Sequence, residues 1–117
     1  MTEELLSFFV AYTREVWRLR QRIESHKPQM PADAAVALER ASTRLLELGS
    51  RYGLDIVDLT GEPYFDGASV HVLAFEERQN VPEGAQIMGE TILPAVRYKG
   101  KLLHPGEVIV HRPPRRA

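Results

Sequence analysis

The chain has 117 residues, of which 44% are hydrophobic and 26% charged, and its formal net charge is −1. This is enough for one domain or two small subdomains of ordinary globular composition, and it argues against a disordered chain. No apolar run approaches the roughly 18 residues of a membrane-spanning helix, and the acidic start does not resemble a signal peptide. We therefore expect a cytoplasmic protein. With no cysteine, the chain has no disulfide and no thiolate nucleophile.

The small net charge hides a segregation of charge along the chain. Residues 1–53 hold eight basic and seven acidic residues, residues 54–96 hold one basic and eight acidic, and residues 97–117 hold six basic and one acidic. Either the blocks pair with each other across a sheet, or they form a dipolar surface that orients a partner. The total charge excludes a general attraction to polyanions.

An amphipathic helix is predicted over residues 3–25, because apolar residues recur with the four-three spacing of a heptad. Thr2 is positioned as its N-cap. Two prolines in the loop at residues 26–31 prevent the helix from continuing. The apolar seam of this helix consists of Leu5, Phe9, Tyr12, Val16, Leu19 and Ile23.

A second helix is predicted over residues 32–52, ended by Gly53 in the left-handed conformation. Each helix has an apolar face wide enough for two neighbours, so we expect two hairpins to pair as a dimeric four-helix bundle. The residues predicted to form the homodimer interface are Leu5, Phe9, Val16, Leu19, Ile23, Leu38, Leu45 and Leu48.

After Gly53 the apolar period changes to two, which indicates strands. A strand is predicted over residues 69–76, another over 91–98, and Lys99-Gly100 is predicted to turn the chain into a hairpin. A short strand follows Gly53, and a last one ends near Val110. The predicted fold is thus α+β: a two-helix hairpin (residues 1–53, dimerisation), a small all-β module (54–111, partner binding) and a flexible tail (112–117).

The sequence contains no recognisable catalytic constellation. The four histidines lack the spacing of metal ligands on one helix face, and neither a nucleophile elbow nor a phosphate-binding loop occurs. We expect no enzymatic activity, no cofactor and no metal. Nucleic acid is not an expected partner either, although a basic stretch on the first helix is consistent with it or, alternatively, with a solvent-exposed stripe. That stretch consists of Arg14, Arg18, Arg20 and Arg22.

The order of motifs in the β module is distinctive. Residues 51–56 (RYGLDI) lead from a helix into a strand, Phe65-Asp66 follows, residues 80–84 (NVPEG) precede a strand, and residues 99–110 (KGKLLHPGEVIV) end the module. In order and spacing this series resembles the GrpE family, the nucleotide exchange factors of DnaK-type heat-shock chaperones. The resemblance covers residues 3–111, and this sequence has no counterpart of the family's long N-terminal helix.

The resemblance implies that the protein is a co-chaperone that binds the nucleotide-binding domain of a DnaK-type chaperone and promotes ADP release. The alternative is an adaptor with a GrpE-like fold that binds a protein without nucleotide exchange. By motif position, the implied chaperone contacts are Phe65, Gly67, Lys101 and Val110, with Arg18 and Arg22 added from the first helix. For each a structural role is the alternative: Phe65 or Val110 in the core, Gly67 only as a turn residue, and the three basic residues as solvated charges.

Overall fold

The computed structural model describes residues 2–115 of the chain. Within this range two helices, joined by a short 3₁₀ helix, precede six strands in two three-stranded sheets. The predicted α+β layout with an N-terminal helical hairpin is confirmed. The elements are α1 Glu3–His26, the 3₁₀ helix Lys27–Gln29, α2 Ala32–Arg51, β1 Leu54–Val57, β2 Val70–Glu77, β3 Ile87–Leu93, β4 Ala95–Tyr98, β5 Lys101–His104 and β6 Gly106–Arg112.

Both helix boundaries follow from local capping signals. The Thr2 side chain accepts a hydrogen bond from the Leu5 N–H at 3.2 Å, as expected of an N-cap. At the end of α2, Gly53 has a φ of +88°, so the predicted left-handed glycine is confirmed. A Cβ atom at Gly53 would lie 2.9 Å from Cγ of Lys99, which adds a steric reason for glycine.

Small polar side chains are among the most buried residues of the two helices. Thr13 and Ser42 are almost completely buried, and their hydroxyls donate to the carbonyls of Val10 (2.8 Å) and Glu39 (2.9 Å). Because each hydroxyl is paired within its own helix, its burial leaves no polar group unsatisfied. Small residues of this kind let packed helices approach each other closely.

The first sheet has the order β1-β4-β5. The predicted hairpin between β4 and β5 is confirmed, since Lys99 and Gly100 have φ angles of 49° and 79°, the positive values that a two-residue type I′ turn requires. The strand predicted over residues 91–98 is instead two strands, β3 and β4, because Pro94 between them has no N–H to donate.

The second sheet has the order β2-β6-β3, with β6 parallel to β2 and antiparallel to β3. A parallel pair needs a long connection, and here the chain from β3 to β5 lies between the paired strands. Met88, Val108 and Val110 form the buried cluster of this sheet. The partly buried residues that pack against the cluster are Leu59, Tyr64, Ala68, Val70 and Val72.

The chain divides into two compact units. The helical unit comprises Met1–Ile56 with Val96–Leu103, and the sheet unit comprises Val57–Ala95 with His104–Ala117. The predicted functional division at Gly53, between a dimerisation region and a partner-binding module, stays a prediction. Arg112, expected to begin the flexible tail, is the last residue of β6. Arg116 and Ala117 of that tail lie outside the described residues.

Candidate functional site

The segment before β2 is held along β3 by backbone hydrogen bonds. The Tyr64 N–H donates to the Gln86 carbonyl at 2.9 Å, and the Met88 N–H donates to the Glu62 carbonyl at 2.8 Å. Because Met88 belongs to the buried cluster, this segment is tied directly to the core of the sheet unit. The anchoring sets the position of the turn that follows Tyr64.

That turn presents an exposed aromatic residue. The Ala68 N–H donates to the Phe65 carbonyl at 3.1 Å, and Gly67, the third residue of the turn, has a φ of +91°. A positive φ at this position is the property of type II turns that favours glycine. Phe65 is 62% exposed, so the alternative that it lies in the core is wrong. The structure thus brings Phe65 and Gly67, two of the predicted contact residues, into one turn.

Val110 has a different environment. It lies in the central strand β6, where Val108 and Val110 point towards the same core, and its exposed fraction is 0%. A partner cannot reach this side chain in the folded protein. Val110 therefore belongs to the core, and the prediction that its side chain contacts a partner is wrong.

The remaining predicted contacts belong to the helical unit. Lys101 is the exposed first residue of β5, and Arg18 and Arg22 are exposed on α1. Arg18 forms an ion pair with Glu15 at 2.7 Å, which contributes little to stability because both side chains are solvated. These basic side chains are accessible to a partner. The alternative, that they are only solvated charges, also predicts that they are exposed.

Arginines of the basic stretch on α1 have partners within the chain. Arg20 donates to the hydroxyls of Ser42 (3.2 Å) and Thr43 (3.3 Å), so this guanidinium connects the two helices. Arg18 is paired to Glu15, and Arg14 also has a partner, so three of the four arginines are engaged within the chain. This arrangement favours a structural or solvated role for the stretch over a nucleic-acid interface.

The eight residues predicted for the dimer interface fall into three groups within a single chain. Val16 and Ile23 are buried, and Phe9 and Leu45 are half-buried. The other four are between 40% and 47% exposed, large fractions for leucine. They are Leu5, Leu19, Leu38 and Leu48.

An aromatic groove of about 510 Å³ lies in the helical unit. Phe8 and Tyr12 line it from α1, Leu48 lines it from α2 and Tyr52 from the C-cap of that helix, and Tyr98 lines it from β4. Phe8 is 60% exposed and Tyr52 is 70% exposed. Leu48, one of the four exposed leucines, therefore belongs to a wider apolar surface. We call the groove and the four exposed leucines the helical face.

Tyr12 joins the two sides of this groove. Its hydroxyl donates to the Leu45 carbonyl at 2.9 Å, and its ring stacks on Phe8 with centroids 6.1 Å apart. Phe9 contacts Tyr98 with ring centroids 5.1 Å apart. Phe8 was not among the predicted interface residues; its spacing of four from Tyr12 is the signal that would have identified it.

Comparison with known proteins adds no identification. No protein-family model matches the chain, and no curated protein matches it significantly. Within residues 2–115, neither helix has a stretch long and apolar enough to cross a bilayer. In the same residues, no group of three or more histidine, aspartate or glutamate side chains is arranged to hold a metal ion. The family resemblance therefore rests on the order of the motifs.

Proposed function

We propose that this chain is a cytoplasmic, homodimeric, GrpE-like co-chaperone that promotes ADP release from a DnaK-type chaperone. The observation that carries the proposal is the exposed Phe65, held on a glycine turn that is anchored to the core of the sheet unit. An exposed aromatic side chain on a rigid turn is the kind of anchor that dominates protein–protein interfaces. It occupies the position that the resemblance assigns to chaperone contact.

The helical face supports the homodimer. A monomeric protein rarely leaves leucines and aromatic rings exposed together over two neighbouring helices. A two-fold dimer would bring the same face of each chain together and would complete a four-helix bundle. The residues concerned include Leu38 and Leu48, both predicted from the heptad spacing.

The proposed mechanism is thermodynamic linkage between two ligands of the chaperone. A partner that prefers the open state of the nucleotide cleft lowers nucleotide affinity, and nucleotide lowers the affinity of the partner by the same factor. Shifting the cleft from 1:99 to 99:1 requires about 5.5 kcal/mol of differential binding. Burying one phenylalanine contributes about 1.5–3 kcal/mol, so Phe65 alone does not supply this difference.

Release of fluorescently labelled ADP from a DnaK-type chaperone of the same organism tests the proposal by stopped-flow mixing. We expect the full-length protein to accelerate release. Phe65→Ala should reduce the acceleration by about tenfold or more, because 1.4 kcal/mol of lost binding is a factor of ten. Leu73→Ala is the matched control, since Leu73 is also a large, exposed apolar residue of the sheet unit, in β2, and should leave release unchanged.

A second pair of variants tests the charge contacts. Lys101→Gln should weaken the acceleration, whereas Arg97→Gln, which removes one exposed positive charge from the neighbouring strand β4, should not. Stable binding to the chaperone without faster release would favour the adaptor alternative over exchange. Absence of both binding and acceleration would show that the proposed function is wrong.

A further inference from the structure

A pocket lined by two arginines lies at the end of β6. Its volume is about 320 Å³, and its lining includes Tyr64, Gln86, Arg112, Pro113 and Arg115. All of these residues belong to the sheet unit.

Arg112 is held in this pocket by an aromatic ring. Its guanidinium carbon lies 5.2 Å from the centroid of the Phe75 ring, and Phe75 in turn meets Tyr64 edge-on with centroids 5.9 Å apart. Stacking of this kind fixes the plane of a guanidinium and leaves its edge free to bind. Arg112 is thus pre-positioned by Phe75, whose ring is itself packed against Tyr64.

The guanidinium of Arg112 has no anionic partner among residues 2–115. Its Nε is buried without a hydrogen bond, and no hydrogen bond or ion pair joins its other nitrogens to that part of the chain. The Glu77 carboxylate accepts from the backbone N–H of Arg115 at 3.3 Å rather than from either guanidinium. A half-buried guanidinium without acceptors is costly, and the second arginine adds to the local positive charge.

We infer that this pocket binds a carboxylate side chain presented by an acidic peptide segment of a partner protein. The fork of Arg112 suits the two oxygens of a carboxylate, and Arg115 supplies a second charge. Tyr64 and Pro113 offer apolar surface to the residue beside the carboxylate. This inference does not depend on the proposed chaperone function.

The net charge of the sheet unit favours a single carboxylate over a nucleic-acid backbone as the ligand of this pocket. The sheet unit carries eight acidic residues and four basic ones. Its field therefore opposes a nucleic-acid backbone, whose binding depends on many phosphate contacts. A carboxylate placed between the two arginines responds mainly to them and to Glu77, the register partner of Arg112, since more distant exposed charges are screened by salt.

Fluorescence anisotropy with a defined probe tests this inference on the full-length protein. The probe is a fluorescein-labelled, C-terminally amidated peptide Gly-Phe-Asp-Glu-Phe-Gly, and the comparison peptide carries Asn and Gln in place of Asp and Glu. We expect saturable binding of the acidic peptide. The amide peptide should bind at least about tenfold more weakly, since it cannot form charge-assisted hydrogen bonds.

Single substitutions test whether the acidic peptide binds at the arginine pocket. Arg112→Gln and Arg115→Gln should each weaken binding, Arg112→Gln by about tenfold or more. Arg112→Lys should also weaken it, because lysine keeps the charge but loses the planar fork. The matched control is Arg78→Gln, which removes the same charge from the same unit at a residue paired with Glu76 at 2.7 Å. Circular dichroism of each variant checks that the fold is retained, and Arg115→Gln changes an exposed side chain outside the core of the unit.

Three results would overturn the inference. The first is equal affinity for the acidic and amide peptides, and the second is equal loss of affinity in Arg78→Gln and Arg115→Gln, which would mark a general charge effect. The third is tighter binding of a labelled single-stranded oligonucleotide than of the acidic peptide, lost in Arg112→Gln, which would assign the pocket to phosphate instead.

Discussion

The two units of this protein differ in how they complete their cores. The sheet unit buries Met88, Val108 and Val110 within one chain, whereas the helical unit leaves Leu38 and Leu48 more than 40% exposed. Their charges differ as well: the helical unit has eleven basic and eight acidic residues, and the sheet unit has four basic and eight acidic residues. The sheet unit has a closed apolar core, and we propose that the helical unit completes its core with a second copy.

The difference follows from the number of neighbours that each element has. In the helical hairpin Thr13, Trp17 and Ser42 are buried, but four leucines of the seam remain exposed. In the sheet unit, alternate residues of the central strand β6 all point into one core. The two helices of a hairpin pack against each other along one side only, so part of each apolar face stays uncovered.

The largest effect that we predict concerns the helical face. Leu48→Glu places a charge where the proposed dimer buries a leucine, and an unpaired buried charge costs several kcal/mol. We expect the dissociation constant of the dimer to rise by at least about a hundredfold, measured by sedimentation velocity.

The matched control for that variant is Leu73→Glu. Leu48 and Leu73 are each 47% exposed, but Leu73 lies on β2 of the sheet unit. We expect Leu73→Glu to sediment like the unmodified protein. If the unmodified protein sediments as a monomer at micromolar concentration, the dimer proposal is wrong.

In the sheet unit, we predict a large loss of stability from a single truncation. Val110→Ala should lower the free energy of unfolding by about 2–3 kcal/mol, because it leaves a cavity beside Met88 and Val108 in a closed core. Urea denaturation measures this loss. The loss should be the same at every protein concentration, whereas the effect of Leu48→Ala should depend on concentration because it acts through the dimer.

A smaller effect is expected at the junction between α2 and β1. Gly53→Ala should cost about 1–2 kcal/mol for the left-handed backbone, and more because its Cβ would lie 2.9 Å from Cγ of Lys99. Gly61→Ala is the control, since Gly61 has a φ of +92° but open space around its Cβ. If both variants lose the same stability in thermal unfolding, the contact with Lys99 does not affect stability.

The smallest effect concerns an ion pair of the helical unit. The hydrogen bond from Lys27 to Glu39, at 2.9 Å, raises the pKa of Lys27 above its ordinary value of 10.5, and the charges of Glu39 and Glu24 add to this. A raised pKa means that the folded state holds the proton more tightly, so the contribution is complete below the ordinary pKa and is lost as pH rises through the folded value.

Thermal unfolding at about pH 8 and about pH 11.5 measures this contribution. The unmodified protein should lose slightly more stability between the two conditions than Lys27→Met, in which the titrating group is absent. The difference should be small, because Lys27 and Glu39 are both solvent-accessible. An equal loss in both proteins would contradict the prediction.

The features that were predicted correctly from the sequence depend on neighbours in the chain. The N-cap at Thr2, the left-handed Gly53 and the Lys99-Gly100 turn are each specified within a few residues, and both helices end within one residue of their predicted bounds. The sequence is consistent with two interpretations of Phe65, an exposed side chain and a core residue. Its neighbours Asp66 and Gly67 indicated a turn, but only the tertiary structure showed that the ring points to solvent.

The features that were missed depend on residues far apart in the chain. The parallel pairing of β2 with β6 and the break between β3 and β4 at Pro94 are examples. The arginine pocket is another, since Phe75 and Arg112 come together only through that parallel pairing. The spacing of residues along the chain does not predict such a contact.

Caps, glycines and heptad spacing act over a few residues, so the helices, the main turns and the apolar seam follow from the amino-acid sequence. The tertiary structure establishes which seam residues the chain buries alone and which stay exposed. It also decided that Val110 serves the core, that Phe65 faces solvent, and that Arg112 stacks on Phe75. The reason is that burial depends on the pairing of distant segments, and side-chain pattern alone leaves several pairings open.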